Sequence, residues 1–130
     1  MKLTVSPDDS VSDVLSATTT ALVGAPDEVA HECQIIVDEF MANMKFHVLP
    51  HAPDINWVLE LDKSDSDVTI KFRYSGEKFD PTPATTSVNQ RPIEQREIGG
   101  LGLVLISSLS DEQHYHYHDG VNEWTIKKHF

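Results

Sequence analysis

"DINWVLELDKSDSDVTIKFRY", Asp54 to Tyr74, is the stretch on which the fold turns. Ile55, Trp57, Leu59 and Leu61 alternate with Asn56, Val58 and Glu60; after a polar turn from Lys63 to Asp67, Val68, Ile70, Phe72 and Tyr74 alternate again. Two runs of period two joined by a short polar turn predict an antiparallel strand pair with one apolar face.

Working outward, the N-terminal flank supplies a cover for that face. Ser6-Pro7-Asp8-Asp9 puts a hydroxyl at the cap, proline at the first helical position and an acid three residues after the cap, which predicts a helix start. Val11, Val14, Leu15, Thr18 and Leu22 share one side of that helix, which stops at Gly24. Pro26-Asp27-Glu28 opens a longer helix running to about His47 or Val48, with Val29, Cys33, Ile36, Val37, Phe40 and Met44 as its core stripe and Pro50 and Pro53 beyond its end. Lys2 to Ser6 suits a short edge strand. On the C-terminal side, Thr82 to Ile98 is polar, carries Pro83 and Pro92 and has no period, so it reads as a surface loop of the lid or binding type. Leu103 to Leu109 suits a buried helix, and Glu112 to His118 with Val121 to Lys128 forms a hairpin around Asp119-Gly120. The order predicts one α+β domain over residues 1–130, a two-layer sandwich whose mostly antiparallel sheet is covered on one face by helices.

Composition narrows the partners. Twenty-one acidic against ten basic side chains give a net charge of −11, and no Lys/Arg cluster offers a footprint for phosphodiester, so no nucleic acid is expected as a direct partner. The acidity suits solubility or a basic patch on a protein partner. Cys33 is the one cysteine and reads as a small core residue, which leaves no disulfide or cysteine-based zinc site. The N-terminus turns polar after five residues and no apolar run approaches spanning length, so the expectation is a cytoplasmic chain with no signal peptide and no membrane segment.

Chemistry concentrates in two places. "EIGGLGLVLISSL", Glu97 to Leu109, sets Gly99, Gly100 and Gly102 before an apolar run. Glycine-rich backbone opening a helix exposes N–H groups at the positive end of the helix dipole, where phosphate binds. It lacks the Lys-Ser/Thr pair of a P-loop and the preceding strand of a dinucleotide fold. The glycines alone equally suit a tight turn that brings a buried helix close to the sheet. In "VDEFMANMKFHV", Glu39, Asn43 and His47 are spaced four apart, along one side of the long helix at the border of its apolar stripe. An amide oxygen is a suitable Mg²⁺ ligand, and a carboxylate one turn away can take a proton from an attacking hydroxyl. The plainer alternative is a surface acid and a helix-interior amide. His47 lies toward the stripe and reads as a buried, hydrogen-bonded histidine. His114, His116 and His118 would share one strand face, either as a transition-metal site or as half-exposed sheet surface with Tyr115 and Tyr117 packed beneath.

Taken in order, these motifs resemble the anti-sigma factor serine/threonine kinases of the GHKL (Bergerat-fold, histidine-kinase-like) ATPase superfamily over nearly the whole chain. "DEFMANMKFH" is similar to the helical box of acid, asparagine and histidine, "GEKFDP" to the segment after the second central strand, "GGLGLVLISSLSDE" to the glycine box, and "DGVNEWTIKK" to the terminal hairpin. The resemblance implies ATP and Mg²⁺ as cofactors, with Asn43 holding the metal and Glu39 acting as general base toward a serine or threonine hydroxyl. It implies that Gly100, Leu101, Gly102 and Leu103 offer N–H groups to the phosphates and that Gly76 lets the backbone approach the adenine. The 82–98 loop would be the lid, with Arg91 or Arg96 reaching the γ-phosphate. Tyr74 departs from the family, which has an adenine-binding aspartate there; a phenol can accept the same bond but sits farther from the backbone and brings a ring into the base site. The partners implied are a small STAS-type anti-sigma factor antagonist and a sigma factor; the family commonly forms dimers, so a homodimer is a further expectation. Two readings stay open: a protein kinase that also acts as a switch, favoured by Glu39, Asn43 and the glycine box, and a non-catalytic protein-binding module of the same fold, favoured by Tyr74.

Overall fold

The computed structural model describes residues 1–81 and 98–130; the proposed lid with Arg91 and Arg96 lies outside the described residues. Strands β1 (Lys2–Val5), β2 (Trp57–Lys63), β3 (Asp67–Ser75), β4 (Glu112–His118) and β5 (Val121–His129) form a five-stranded sheet in the order β1-β2-β3-β5-β4, with every neighbouring pair antiparallel. Helices α1 (Val11–Ala21), α2 (Asp27–Asn43) and α3 (Ile98–Leu109) complete the α+β fold. Both α1 and α3 pack against α2.

The period-two pattern sets the sheet's inner face. Trp57, Leu59 and Leu61 of β2, Val68, Ile70, Phe72 and Tyr74 of β3, and Trp124 and Ile126 of β5 are buried together with Val29, Cys33, Ile36, Val37, Phe40 and Met44. Phe40 of α2 stacks on Phe72 of β3 with ring centroids 3.7 Å apart, joining helix layer to sheet at the centre. Lys128 is the inward charge on β5, and its ammonium is taken up by Glu32 on α2 and the Leu109 carbonyl at the end of α3. Burial pushes the Cys33 thiol up to about 11, so it is a neutral core group. On the open face, Arg73 of β3 bridges Glu123 of β5 at 2.9 Å and Glu60 of β2 at 3.2 Å. The β4–β5 turn has Asp119 at φ 52° and Gly120 at φ 77°, the left-handed pair that a two-residue hairpin requires.

Three boundaries differ from the sequence expectation. The Ser6-Pro7-Asp8-Asp9 signal closes a turn of its own: the Asp9 N–H donates to the Ser6 carbonyl (3.1 Å) and the Ser6 N–H donates to the Asp9 carboxylate (2.8 Å). The helix starts one turn later, capped by Ser10, whose hydroxyl accepts from the Asp13 N–H at 3.0 Å. Ser10→Ala is therefore expected to cost about 1 kcal/mol of unfolding free energy, and Ser6→Ala close to nothing; urea denaturation of the two variants compares them. The second difference is α2, which continues to Val48 as expected, but through a π-helical turn, Met44–Val48, closed by the Leu49 N–H on the Met44 carbonyl at 2.8 Å. The third is α3, which begins at Ile98, before the glycines instead of after them.

Candidate functional site

Helix α2 runs regularly as far as Asn43 and then widens. Insertion of a π turn into an α-helix is a frequent mark of a functional site, because the wider turn re-aims the side chains that follow it. Asn43 is 5% exposed. Its amide makes no hydrogen bond among the described residues and lies on the wall of a cavity of about 480 Å³. A polar amide that borders an open cavity can take its hydrogen bonds from water or a ligand there. From the helical side the cavity is lined by Asn43, His47 and His51, and from the sheet side by Tyr74 to Phe79. That volume lies within the range of small-molecule sites, about 300–1,000 Å³.

His47 faces the same cavity, but its Nε2 is buried with no hydrogen-bond partner. The expectation of a hydrogen-bonded core histidine is corrected here: His47, within the π turn, is only partly buried and lines the cavity. Gly76 has φ 143°, a conformation that side chains rarely adopt, and a Cβ there would meet nothing within 4 Å. Backbone strain, and not crowding, is what calls for glycine at this position.

Glu39 lies one turn before Asn43 and meets α3. A Cβ on Gly102 would stand 2.6 Å from Glu39 Oε2, so the missing side chain is what admits the carboxylate. Glu39 forms neither an ion pair nor a hydrogen bond among the described residues. Gly100, Leu101, Gly102 and Leu103 follow one another within α3, Gly99 and Gly100 in its first turn, where helical N–H groups lack internal acceptors. Leu103 is 3% exposed and lines a small void that also touches Asn43, Tyr74 and Asn122. Glu39 with Gly102, and Asn43 with Tyr74 and Gly76, thus form two adjoining groups that meet along α2.

Tyr74 is 8% exposed, with its ring tilted against Phe40 at 6.3 Å between centroids. It packs as a core residue and forms part of the cavity wall, and the volume beside it stays open. Burial pushes its phenol up to about 12, so it presents a neutral hydroxyl where a carboxylate would be charged.

Asn122 went unnoticed in the sequence. It is 1% exposed, and its amide binds the backbone of the segment that follows Gly76. Its signal was available: an amide at an inward position of β5, in step with Trp124 and Ile126, is a polar group where the alternation calls for an apolar one. The histidine row lies on the exposed side of edge strand β4, with Tyr115 packed on the core and the Tyr117 hydroxyl donating to the Gly76 carbonyl at 2.9 Å. His118 pairs with Asp119 at 3.0 Å and His129 with Glu112 at 2.9 Å. Among the described residues no group of three or more histidine, cysteine or acidic side chains is placed to hold a metal ion.

An antiparallel sheet covered by helices on one face, with an acid–asparagine helix and a glycine-bearing helix meeting beside an open cavity, defines a two-layer α+β domain with a candidate ligand site. A sequence model of the histidine kinase-like ATPase domain matches residues 4–128, and the chain belongs to that family. No curated protein matches it at a significant level of similarity. Among solved structures it is similar to a crystal structure of the RsbU and RsbW domains of Rv1364c from Mycobacterium tuberculosis, with TM-score 0.62 and 15% identity over 98% of this chain and 31% of that one. The chain therefore spans about a third of the length of that crystallised chain, and the likeness is one of fold. Among the described residues no helix is long and apolar enough to cross a membrane.

Proposed function

We propose that the chain binds Mg²⁺-ATP in the cavity beside Asn43 and phosphorylates a serine or threonine on a small STAS-type antagonist protein, in the cytoplasm, as part of the control of a partner such as a sigma factor. The observation that carries the nucleotide half is Asn43: the amide of this buried residue, on the wall of an open cavity, is suited to a hard cation and its bound phosphates. Family membership supports the same half. The regulatory half rests on the ordered likeness of the motifs to anti-sigma factor kinases and on the fold shared with a chain that contains an RsbW domain.

When bound, Mg²⁺-ATP supplies the phosphoryl group, and the metal offsets its charge. Asn43 would hold the metal through its amide oxygen. Gly76 would let the backbone come close to the base, and the first turn of α3 would direct N–H groups at the phosphates. Glu39 would take the proton of the attacking hydroxyl, from its place beside Gly102. Tyr74 favours the second reading, a partner-binding module that does not use ATP, because a neutral phenol replaces the family's carboxylate.

Titration calorimetry with Mg²⁺-ATP separates the two. Wild-type protein is expected to bind, and Asn43→Ala to bind about ten- to a hundredfold more weakly, as loss of a charge-assisted contact allows. Absence of binding at millimolar nucleotide would remove the kinase and leave the partner-binding module.

A further inference from the structure

Strand β3 leaves the sheet at Ser75, yet the chain beyond it forms one wall of the cavity. Its backbone groups there no longer have a strand ladder to pair with and must find other partners. Asn122 supplies them. In the sheet it stands opposite Tyr74 on β3 and Tyr117 on β4. Its Nδ2 donates to the Glu77 carbonyl at 2.9 Å and its Oδ1 accepts from the Phe79 N–H at 2.9 Å. The amide therefore plays the part of a peptide group from a missing strand, binding residues two apart as a ladder would. The Tyr115 hydroxyl donates to the same Oδ1 at 2.5 Å, which uses both of its lone pairs and fixes the amide's orientation. Two further bonds hold the start of the wall: the Gly76 N–H donates to the Gly120 carbonyl at 3.0 Å, and the Tyr117 hydroxyl donates to the Gly76 carbonyl.

We infer that Asn122 is a positioning residue for the ligand cavity: the β4–β5 hairpin, through this amide, sets where the Gly76–Phe79 wall stands and hence how tightly the cavity holds its ligand. The inference rests on the nucleotide reading for the identity of that ligand, while the strapping of the wall does not. Asn122 touches the wall's backbone and acts on the ligand only through it. Nothing else on the inner face of β5 has this geometry; Lys128, the other polar group there, is spent on Glu32 and Leu109 at the far end of the strand.

Asn122→Asp tests it. An aspartate keeps the shape and the acceptor oxygens but, when ionised, turns a donor to the Glu77 carbonyl into a repulsive carboxylate. Protonation restores an O–H donor. The variant is expected to bind Mg²⁺-ATP about tenfold more weakly near pH 8 and to recover toward wild-type affinity as the pH falls toward about 5, since burial raises a carboxyl's pKa. A residue with a purely structural role would lower the melting temperature without giving the folded protein this pH-dependent affinity. Amide hydrogen exchange gives a readout that needs no nucleotide: the Phe79 amide is expected to exchange faster in Asn122→Ala, which removes its acceptor oxygen, than in wild type. Tyr117→Phe, at the sheet's rim and harmless to the core, serves as a further variant, with a smaller loss of about two- to threefold from one bond. Faster exchange in Asn122→Ala with Asn122→Asp affinity equal to wild type at every pH would overturn the positioning role, and so would unchanged exchange at Phe79. Wild-type protein that fails to bind nucleotide would instead overturn the nucleotide reading, with the exchange data still deciding whether Asn122 holds the wall.

Discussion

Glu39→Gln is expected to slow phosphoryl transfer to a STAS-type antagonist by about 10²- to 10⁴-fold, the range that a positioned general base contributes, and to leave Mg²⁺-ATP affinity within about twofold of wild type. The argument starts from size and charge. Glutamine fills the same space against Gly102, so the contact between α2 and α3 persists, but its amide oxygen is too weak a base to take the hydroxyl proton. A residue that acts only on the transferred proton lowers the rate without changing ground-state binding. The measurement is single-turnover transfer with γ-labelled ATP beside calorimetry on the same samples. Transfer at the wild-type rate would take the base role from Glu39; equal loss of binding and rate would mean that the carboxylate belongs to the nucleotide site.

Much of this candidate site is legible in the sequence, because its parts are local. Glu39 and Asn43 are one α-helical turn apart, and helical spacing alone puts them on one side. The inward positions of β2 and β3 follow from strict alternation. The parts that escaped depend on contacts distant in sequence. Insertion of β5 between β3 and β4 joins residues some fifty positions apart, such as Arg73 and Glu123, and no local period encodes it. The π turn at Met44–Val48 contains no glycine or proline that would mark it in the sequence. The first helix start failed for a different reason: the same cap chemistry occurs at both Ser6 and Ser10, and Asp9 turns back to close the first as a turn, a case of side-chain bonding competing with helix. Asn122 was legible as an anomaly, but its role was not, because that role lies in the backbone of Glu77 and Phe79, more than forty residues away.

Gly102→Ala carries the largest expected split between stability and function. A methyl group there would stand 2.6 Å from Glu39 Oε2, closer than the two atoms can approach. The atom it meets is the end of a flexible side chain, so the carboxylate swings away while the helices stay packed. Replacing glycine by alanine inside a helix gains roughly 0.5–1 kcal/mol, which offsets that movement, and the melting temperature is expected to stay level or rise slightly. The rate of transfer is expected to fall by about a hundredfold, since misplacing a catalytic group by about 1 Å costs that much. If displacement of Glu39 is the cause, the loss must vanish once the carboxylate is gone: Gly102→Ala in the Glu39→Gln background should slow transfer little further, a strongly non-additive cycle. Additive losses, or a drop in ATP affinity in the single variant, would instead assign Gly102 to the approach of phosphate to the backbone of α3. The cycle therefore distinguishes the two uses of one glycine, a gap that admits a carboxylate and a backbone that admits a phosphate.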